Sequence, residues 1–217
     1  MKKPYTHLIW DFNGTLLDDV DACIQSANKL LSAHSLPPLS SKEEYRTRFG
    51  FPVIDYYRRL GFDFQSTPYD ELAVEWVNYY NEQSKTSKLF PDVTEALQRV
   101  RANGITQCIL SATEAAMLER QATELGIRAY FDELLGMDDI HAAGKTARGV
   151  AWREKHPDAR VLFVGDTDHD AEVALAMNAD CILLSCGHQP AETLRTHKVL
   201  CVLDSPRDVL QFLELAT

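Results

Sequence analysis

The chain is poor in the features that tie small proteins together or hold them at a membrane. Its five cysteines, Cys23, Cys108, Cys181, Cys186 and Cys201, form an odd set without a Cys-x-x-Cys pair. Three of them lie in apolar runs and read as small core residues, so the chain is expected to be reduced and cytoplasmic. No apolar run approaches the length of a membrane span. Met1-Lys2-Lys3-Pro4 opens with two lysines, but the apolar run that follows breaks at Asp11, so a signal peptide is not expected. Positive charge is also scarce. Lysine and arginine total 22 against 32 aspartates and glutamates, a net charge of -10, which argues against nucleic acid or an anionic membrane surface as partner. Internal repeats and low-complexity segments are lacking too. What remains, 217 residues with 45% hydrophobic and 25% charged side chains, suits one large domain or one domain carrying an insertion.

Periodicity divides the chain in two. Residues 5–10 read as a buried strand, rich in β-branched and aromatic side chains and followed by a glycine turn. Helical spacing then fills residues 20–34, ending at Pro37-Pro38, and continues in Lys42–Phe49, Val53–Leu60 and Tyr69–Gln83. No strand pattern interrupts residues 18–86. From Leu89 onward helix and strand alternate, with strands expected at Ile105–Leu110, Phe131–Leu135, Arg160–Val164, Cys181–Leu184 and Val199–Leu203. The intervening helices fall at 91–103, 114–125, 146–156, 170–177 and 191–197, with a last one at 207–215. This alternation predicts an α/β fold, a Rossmann-like doubly wound and mostly parallel sheet covered on both faces. A small helical domain over 17–86 is inserted into a core made of 1–16 and 87–217.

Strand ends carry the chemistry-bearing residues. Ile9-Trp10-Asp11-Phe12-Asn13-Gly14-Thr15-Leu16-Leu17-Asp18 places the Asp11 carboxylate where open α/β sheets bind ligands, able to attack phosphorus and to hold a cation. Gly14 permits an unusual turn, and Thr15 offers a hydroxyl and an amide. Taken alone, Asp-x-Asn-Gly after a strand is also an ordinary turn. Cys108-Ile109-Leu110-Ser111-Ala112-Thr113 ends a second strand at a hydroxyl; Ser111, with amides at the start of the next helix, could hold a phosphoryl oxygen or simply cap that helix. Val164-Gly165-Asp166-Thr167-Asp168-His169-Asp170 follows a third. Helix capping explains Asp168 but not Asp166, and Asp168 and His169 read as structural or surface residues. In a parallel sheet Asp11, Asp166 and Asp170 converge at one edge, where protons or a cation must compensate their charge. Oxygen-only ligands beside a phosphate substrate favour Mg2+. Gly144-Lys145-Thr146 superficially suggests a phosphate loop, but Asp139 stands where a Walker sequence needs glycine.

These segments together resemble motifs one to four of the haloacid dehalogenase-like (HAD) hydrolase superfamily, in order and over the whole chain, and specifically its phosphoglycolate phosphatase-like members with a helical cap after motif one. The resemblance implies a magnesium-dependent hydrolase of a small phosphorylated metabolite. Asp11 would be the nucleophile that forms an aspartyl phosphate, Thr15, Ser111 and Ala112 would contact the phosphoryl group, and Lys145 would neutralise both. Arg148 is the substitute if Lys145 points elsewhere. Asp166 and Asp170 would bind the metal, with Asn13 supplying a backbone carbonyl. From the cap, Arg48 is the candidate to reach substrate. One position departs from the family: Asn13 stands where phosphatases carry the aspartate that protonates the leaving group. An amide cannot exchange a proton in that way, so good leaving groups such as acyl phosphates or anhydrides are favoured. The alternative is a phosphate-binding or regulatory protein with little turnover. Phosphonate hydrolases usually carry alanine here and dehalogenases tyrosine, and neither matches.

Overall fold

The computed structural model describes residues 5–138 and 144–215; Asp139 and the Met1–Pro4 opening lie outside the described residues. Strand β1 (His7–Trp10) is central because its side chains are apolar on both faces. Leu8 and Trp10 enter one hydrophobic cluster and Ile9 another, all fully buried. The same alternation of faces recurs in Ile109 against Cys108 and Leu110, in Leu162 and Val164 against Phe163, and in Ile182 and Leu184 against Leu183. A strand covered on both faces reads as a near-continuous apolar run.

In chain order the remaining elements are β2 (Leu17–Asp18), α1 (Val20–Ala33), α2 (Lys42–Arg48), α3 (Val53–Leu60), α4 (Tyr69–Gln83), β3 (Lys88–Leu89), α5 (Val93–Ala102), β4 (Thr106–Glu114) and α6 (Ala115–Glu124). They are followed by β5 (Glu133–Met137), α7 (Lys145–Lys155), β6 (Val161–Gly165), α8 (Asp168–Ala176), β7 (Asp180–Leu184), α9 (Ala191–Leu194), β8 (Cys201–Leu203) and α10 (Pro206–Phe212). Six strands form one sheet in the order β5-β4-β1-β6-β7-β8, every neighbouring pair parallel. The chain leaves β1 toward β4 on one side and returns to β6 on the other. Their carboxyl ends therefore open a crevice at the switch point, where such sheets bind ligands. Helices α5, α6 and α10 supply Leu97, Leu118 and Val209 to one face. Trp152 of α7 and Val173 of α8 cover the other.

Helices α1 to α4 bury a third cluster of their own, centred on Leu30, Tyr45, Tyr57, Leu72 and Tyr80. The expected doubly wound α/β architecture is present, with two differences. First, the antiparallel pair of β2 and β3, Leu17 opposite Leu89 and Asp18 opposite Lys88, sits where the helical block leaves and rejoins the sheet; two residues per strand are too few to produce a periodic pattern. Second, β4 does not stop at Leu110. It runs through Ser111 to Glu114 after a break in register, which delays α6 to Ala115.

Candidate active site

Four segments meet at the sheet's carboxyl edge. Asp11 follows β1 directly, its N–H donating to Val164 O at 2.8 Å. The turn after it folds back through Leu16 and Leu17 amides on Phe12 O, both 2.9 Å, and needs Gly14 at φ +73°. A β-carbon at Gly14 or at Gly187 would collide with the Asp166 carboxylate, so both glycines permit a close approach of backbone to an acid.

Lys145, the first residue of α7, is 4% exposed and ties the acids together. Its Nζ donates to Asp11 Oδ1 at 2.5 Å and to Asp170 Oδ1 at 2.6 Å. Asp170 Oδ2 accepts from the Asp166 and Thr167 amides, each 3.0 Å, and from Thr167 Oγ1 at 2.8 Å. The bond from the Thr167 amide is one half of the capping box of α8, and the Asp170 amide donating to Thr167 Oγ1 at 3.3 Å is the other, so the helix starts at Asp168. Asp166, fully buried, accepts from Thr15 Oγ1 at 3.0 Å and from the His188 amide at 2.6 Å. One oxygen from each of Asp11, Asp166 and Asp170 lies within 4.8 Å of the others.

Charge is unbalanced in this group. Burial pushes Asp11 well above the ordinary carboxylate range; Lys145 opposes the rise, and Asp170 and Asp166 add to it. Asp166 is pushed up to about 6, mainly by burial. Asp170 goes the other way. Burial works against its charge, but Lys145 and the bonds from Thr167 and the Asp166 amide hold its carboxyl below the usual range. Lys145 itself is raised: burial disfavours its charge, and Asp11 and Asp170 more than compensate.

Not every expected residue arrives as expected. Ser111, 1% exposed, and Ala112 do line the cavity above Asp11 and Lys145. The helix amides expected beside Ser111 are four or more residues on and already accepted by Glu114, at 3.0 Å to Ala116 and 2.9 Å to Met117. The Ser111 hydroxyl instead meets Thr113, donating to Thr113 Oγ1 at 3.0 Å and accepting from its amide at 3.1 Å. Thr15 gives its hydroxyl to Asp166 and is not part of the cavity wall. Arg48 is not brought to the site. It pairs with Glu44 at 2.9 Å and reaches the Arg59 carbonyl at 3.3 Å, because one helical turn puts a carboxylate within its reach. Arg148 pairs with Asp138 at 2.7 Å, leaving the position to Lys145.

Asn13 sits in a network that the sequence reading missed. Its Nδ2 donates to Asp19 Oδ2 at 2.8 Å and to Tyr80 OH at 2.7 Å, while its Oδ1 accepts from Thr113 Oγ1 at 2.7 Å. Asp19, wholly buried, also accepts from the Gly14 amide at 3.0 Å and Tyr80 OH at 2.7 Å. It faces His188 Nε2 at 3.3 Å, and His188 Nδ1 meets Tyr45 OH at 2.9 Å. Burial works against both charges. Even so, His188 and the bonds from Tyr80 and Asn13 hold Asp19 low, while Asp19, Asp166 and Asp11 push His188 up to about 9. The motif thus has an amide at 13 and a buried carboxylate at 19. Nothing in the sequence singled out Asp19 or His188 for this site.

Above these groups lies a cavity of about 410 Å³, walled by the strand ends below and by α2 to α4 above. No helix among the described residues is long and apolar enough to cross a membrane. Residues 8–184 match the model of the haloacid dehalogenase-like hydrolase family. The chain is similar to a phosphoglycolate phosphatase of Yersinia pseudotuberculosis, 27% identical over 224 residues, covering 96% of this chain and 93% of that protein. A phosphoglycolate phosphatase of Nitrosococcus oceani is 25% identical over 225 residues, covering 100% and 99%. Among solved structures, a haloacid dehalogenase-like family protein from Streptococcus pneumoniae superposes with a TM-score of 0.83 at 18% identity, covering 96% of this chain and 98% of that one.

Proposed function

This chain belongs to the haloacid dehalogenase-like hydrolase family, and from that premise we propose that it is a magnesium-dependent phosphatase of a small phosphorylated metabolite, working through an aspartyl phosphate on Asp11. The observation that carries the reading is the Lys145 ammonium held at 2.5 Å from Asp11 and 2.6 Å from Asp170 on the cavity floor. An ammonium in that place opposes the burial-driven rise of Asp11 and fixes one of its oxygens. Phosphatase relatives at 27% and 25% identity support the substrate class.

The donor set fits a hard divalent cation. Three clustered carboxylates face one lysine, and burial first, with mutual repulsion adding to it, pushes Asp11 and Asp166 upward, a rise that a bound cation would oppose. Asp11, Asp166, Asp170 and the Asn13 carbonyl would hold Mg2+, which supplies Lewis-acid stabilisation of charge on the phosphoryl oxygens. The chain's own groups do the rest. An Asp11 oxygen forms the new bond to phosphorus as the bond to the leaving oxygen breaks, and Ser111 and Ala112 border the phosphoryl group. Water then releases phosphate and regenerates Asp11.

Asn13 sets the limit on this chemistry. Its amide is fully engaged with Asp19, Tyr80 and Thr113, so it orients the turn and donates no proton to a leaving group. Losing general acid help costs roughly 10² to 10⁴ in rate, about 3 to 5 kcal/mol of barrier. Acyl phosphates and anhydrides lose least. The same amide favours a second reading, a phosphate-binding or regulatory protein with little turnover.

Phosphate release from a panel of phosphomonoesters, an acyl phosphate and pyrophosphate with Mg2+ separates the two. Turnover that disappears in Asp11→Asn is the expected result; phosphate binding without turnover on any compound supports the second reading.

A further inference from the structure

The part of the cavity away from Asp11 has a chemistry of its own. Phe49, Tyr56 and Tyr57 enter from α2 and α3, and Tyr69, Trp76 and Val77 from α4. The hydroxyls of Tyr45 and Tyr80 are occupied, by His188 and by Asp19, so these two rings present carbon to the space, while the buried Tyr56 hydroxyl has no partner among the described residues. Trp76 stacks on Tyr80 with centroids 5.0 Å apart and planes at 11°, which holds a flat aromatic wall.

No lysine or arginine among the described residues of 20–86 lines the cavity. The helical block's cations are turned elsewhere. Arg46 reaches the carbonyls of Ser185 and Gln189, Arg58 pairs with Asp55, and Arg59 donates to the Arg48 carbonyl at 2.8 Å. Lys42 pairs with Asp21 at 3.5 Å and Lys85 with Glu82 at 2.9 Å. On the sheet side two further cations stand in the wall: His188, paired with Asp19 at 3.3 Å, and Arg120, exposed and near Glu114, which also lines the wall. Toward the helical block, a second anionic group on the substrate would therefore be desolvated against aromatic rings without a counter-charge, and such burial is strongly unfavourable. The volume of about 410 Å³ lies in the range of pockets, roughly 300 to 1,000 Å³, that enclose ligands far larger than a phosphorylated two-carbon acid.

We infer that the cavity selects a phosphoryl compound whose organic part is uncharged, apolar and of aromatic or medium-chain size, rather than a phosphorylated carboxylic acid. This rests on the phosphoryl site proposed above and adds the substrate class. The phosphoryl group sits against Lys145, and the organic part extends toward Tyr57, Tyr69 and Trp76.

Equilibrium binding of methyl-, butyl- and hexylphosphonate and of phosphonoacetate to the full chain with Mg2+ tests it without needing turnover. One headgroup is kept along the alkyl series, so the gain reports burial alone. Each fully buried methylene is worth about fourfold in Kd, and tightening of at least tenfold from methyl to hexyl is expected, with phosphonoacetate weaker than hexylphosphonate. Val77→Trp, which fills the cavity from α4, is expected to weaken hexylphosphonate at least fivefold and leave methylphosphonate within about twofold. Ala73→Leu repeats the test at a neighbouring position, and methylphosphonate binding certifies that each variant is folded. A flat alkyl series, or phosphonoacetate binding more tightly than hexylphosphonate, overturns the inference while the phosphatase reading stands. Failure of all four compounds to bind overturns the phosphoryl site and the inference with it.

Discussion

Asn13→Asp restores the family's usual residue at a place whose neighbours are arranged for an amide. The Nδ2 that donates to Asp19 Oδ2 at 2.8 Å and to Tyr80 OH at 2.7 Å becomes an oxygen facing a buried carboxylate. Two unit charges about 4 Å apart repel by roughly 4 kcal/mol at an effective dielectric constant near 20. His188, at 3.3 Å from the far oxygen of Asp19, offsets part of this, leaving about 2 to 3 kcal/mol. The introduced carboxyl therefore retains its proton well above the ordinary range. Its folded form binds more protons than its unfolded form over that interval, so stability relative to the parent falls as pH rises and is nearly restored below about pH 4. For a chain of this length the deficit near pH 8 corresponds to a Tm lower by roughly 4 to 12 °C. Thermal melts of both proteins without metal, at pH 5 and pH 8, read this directly. Any gain in alkyl phosphate turnover should be confined to the acid side, where the new group can donate. Equal Tm differences at the two pH values, or none at pH 8, would refute the electrostatic account of Asn13.

Two further outcomes follow from the acid cluster. Burial and mutual repulsion raise Asp11 and Asp166, so in metal-free protein they destabilise the fold increasingly as pH rises through about 4 to 7; Mg2+ at a hundredfold excess over its Kd at pH 8 should add about 2.7 kcal/mol of stability there and less at pH 5, read as a larger rise in Tm at pH 8. Asp166→Asn should abolish that increment, and an unchanged increment would remove Asp166 from the ligand set. Lys145→Met leaves Asp11 and Asp170 buried against each other without their shared cation, an expected loss of about 3 to 5 kcal/mol of stability in denaturant titrations. That loss should shrink when Mg2+ is added; a loss that Mg2+ does not touch would separate the lysine from the metal site.

How much of this was legible in the chain depends on how local each signal is. Strand β6 was readable because every residue from Val161 to Gly165 is buried, and a strand buried on both faces leaves a continuous apolar run. Helices Val53–Leu60 and Tyr69–Gln83 were readable to the residue, since Pro52 and Pro68 stand at their N-caps. The Asp11, Lys145, Asp166 and Asp170 positions followed from strand ends and motif order. Arg48 was misplaced because a long charged side chain satisfies itself on whatever carboxylate its own helix offers, here Glu44 one turn away.

By itself, then, the sequence determined the succession of the six main-sheet strands and of the helices between them, and the acids that end β1 and β6, because backbone periodicity and strand-end position are written within a few residues. Only the tertiary structure decided which side chains share a proton or a wall. Asn13 meets Thr113 across 100 residues and Tyr80 across 67, and Tyr45 meets His188 across 143. It also decided that the helical block turns its rings, and not its arginines, toward the cavity. Contacts of that range depend on how the helices pack onto the sheet edge, and no short stretch of residues carries that information.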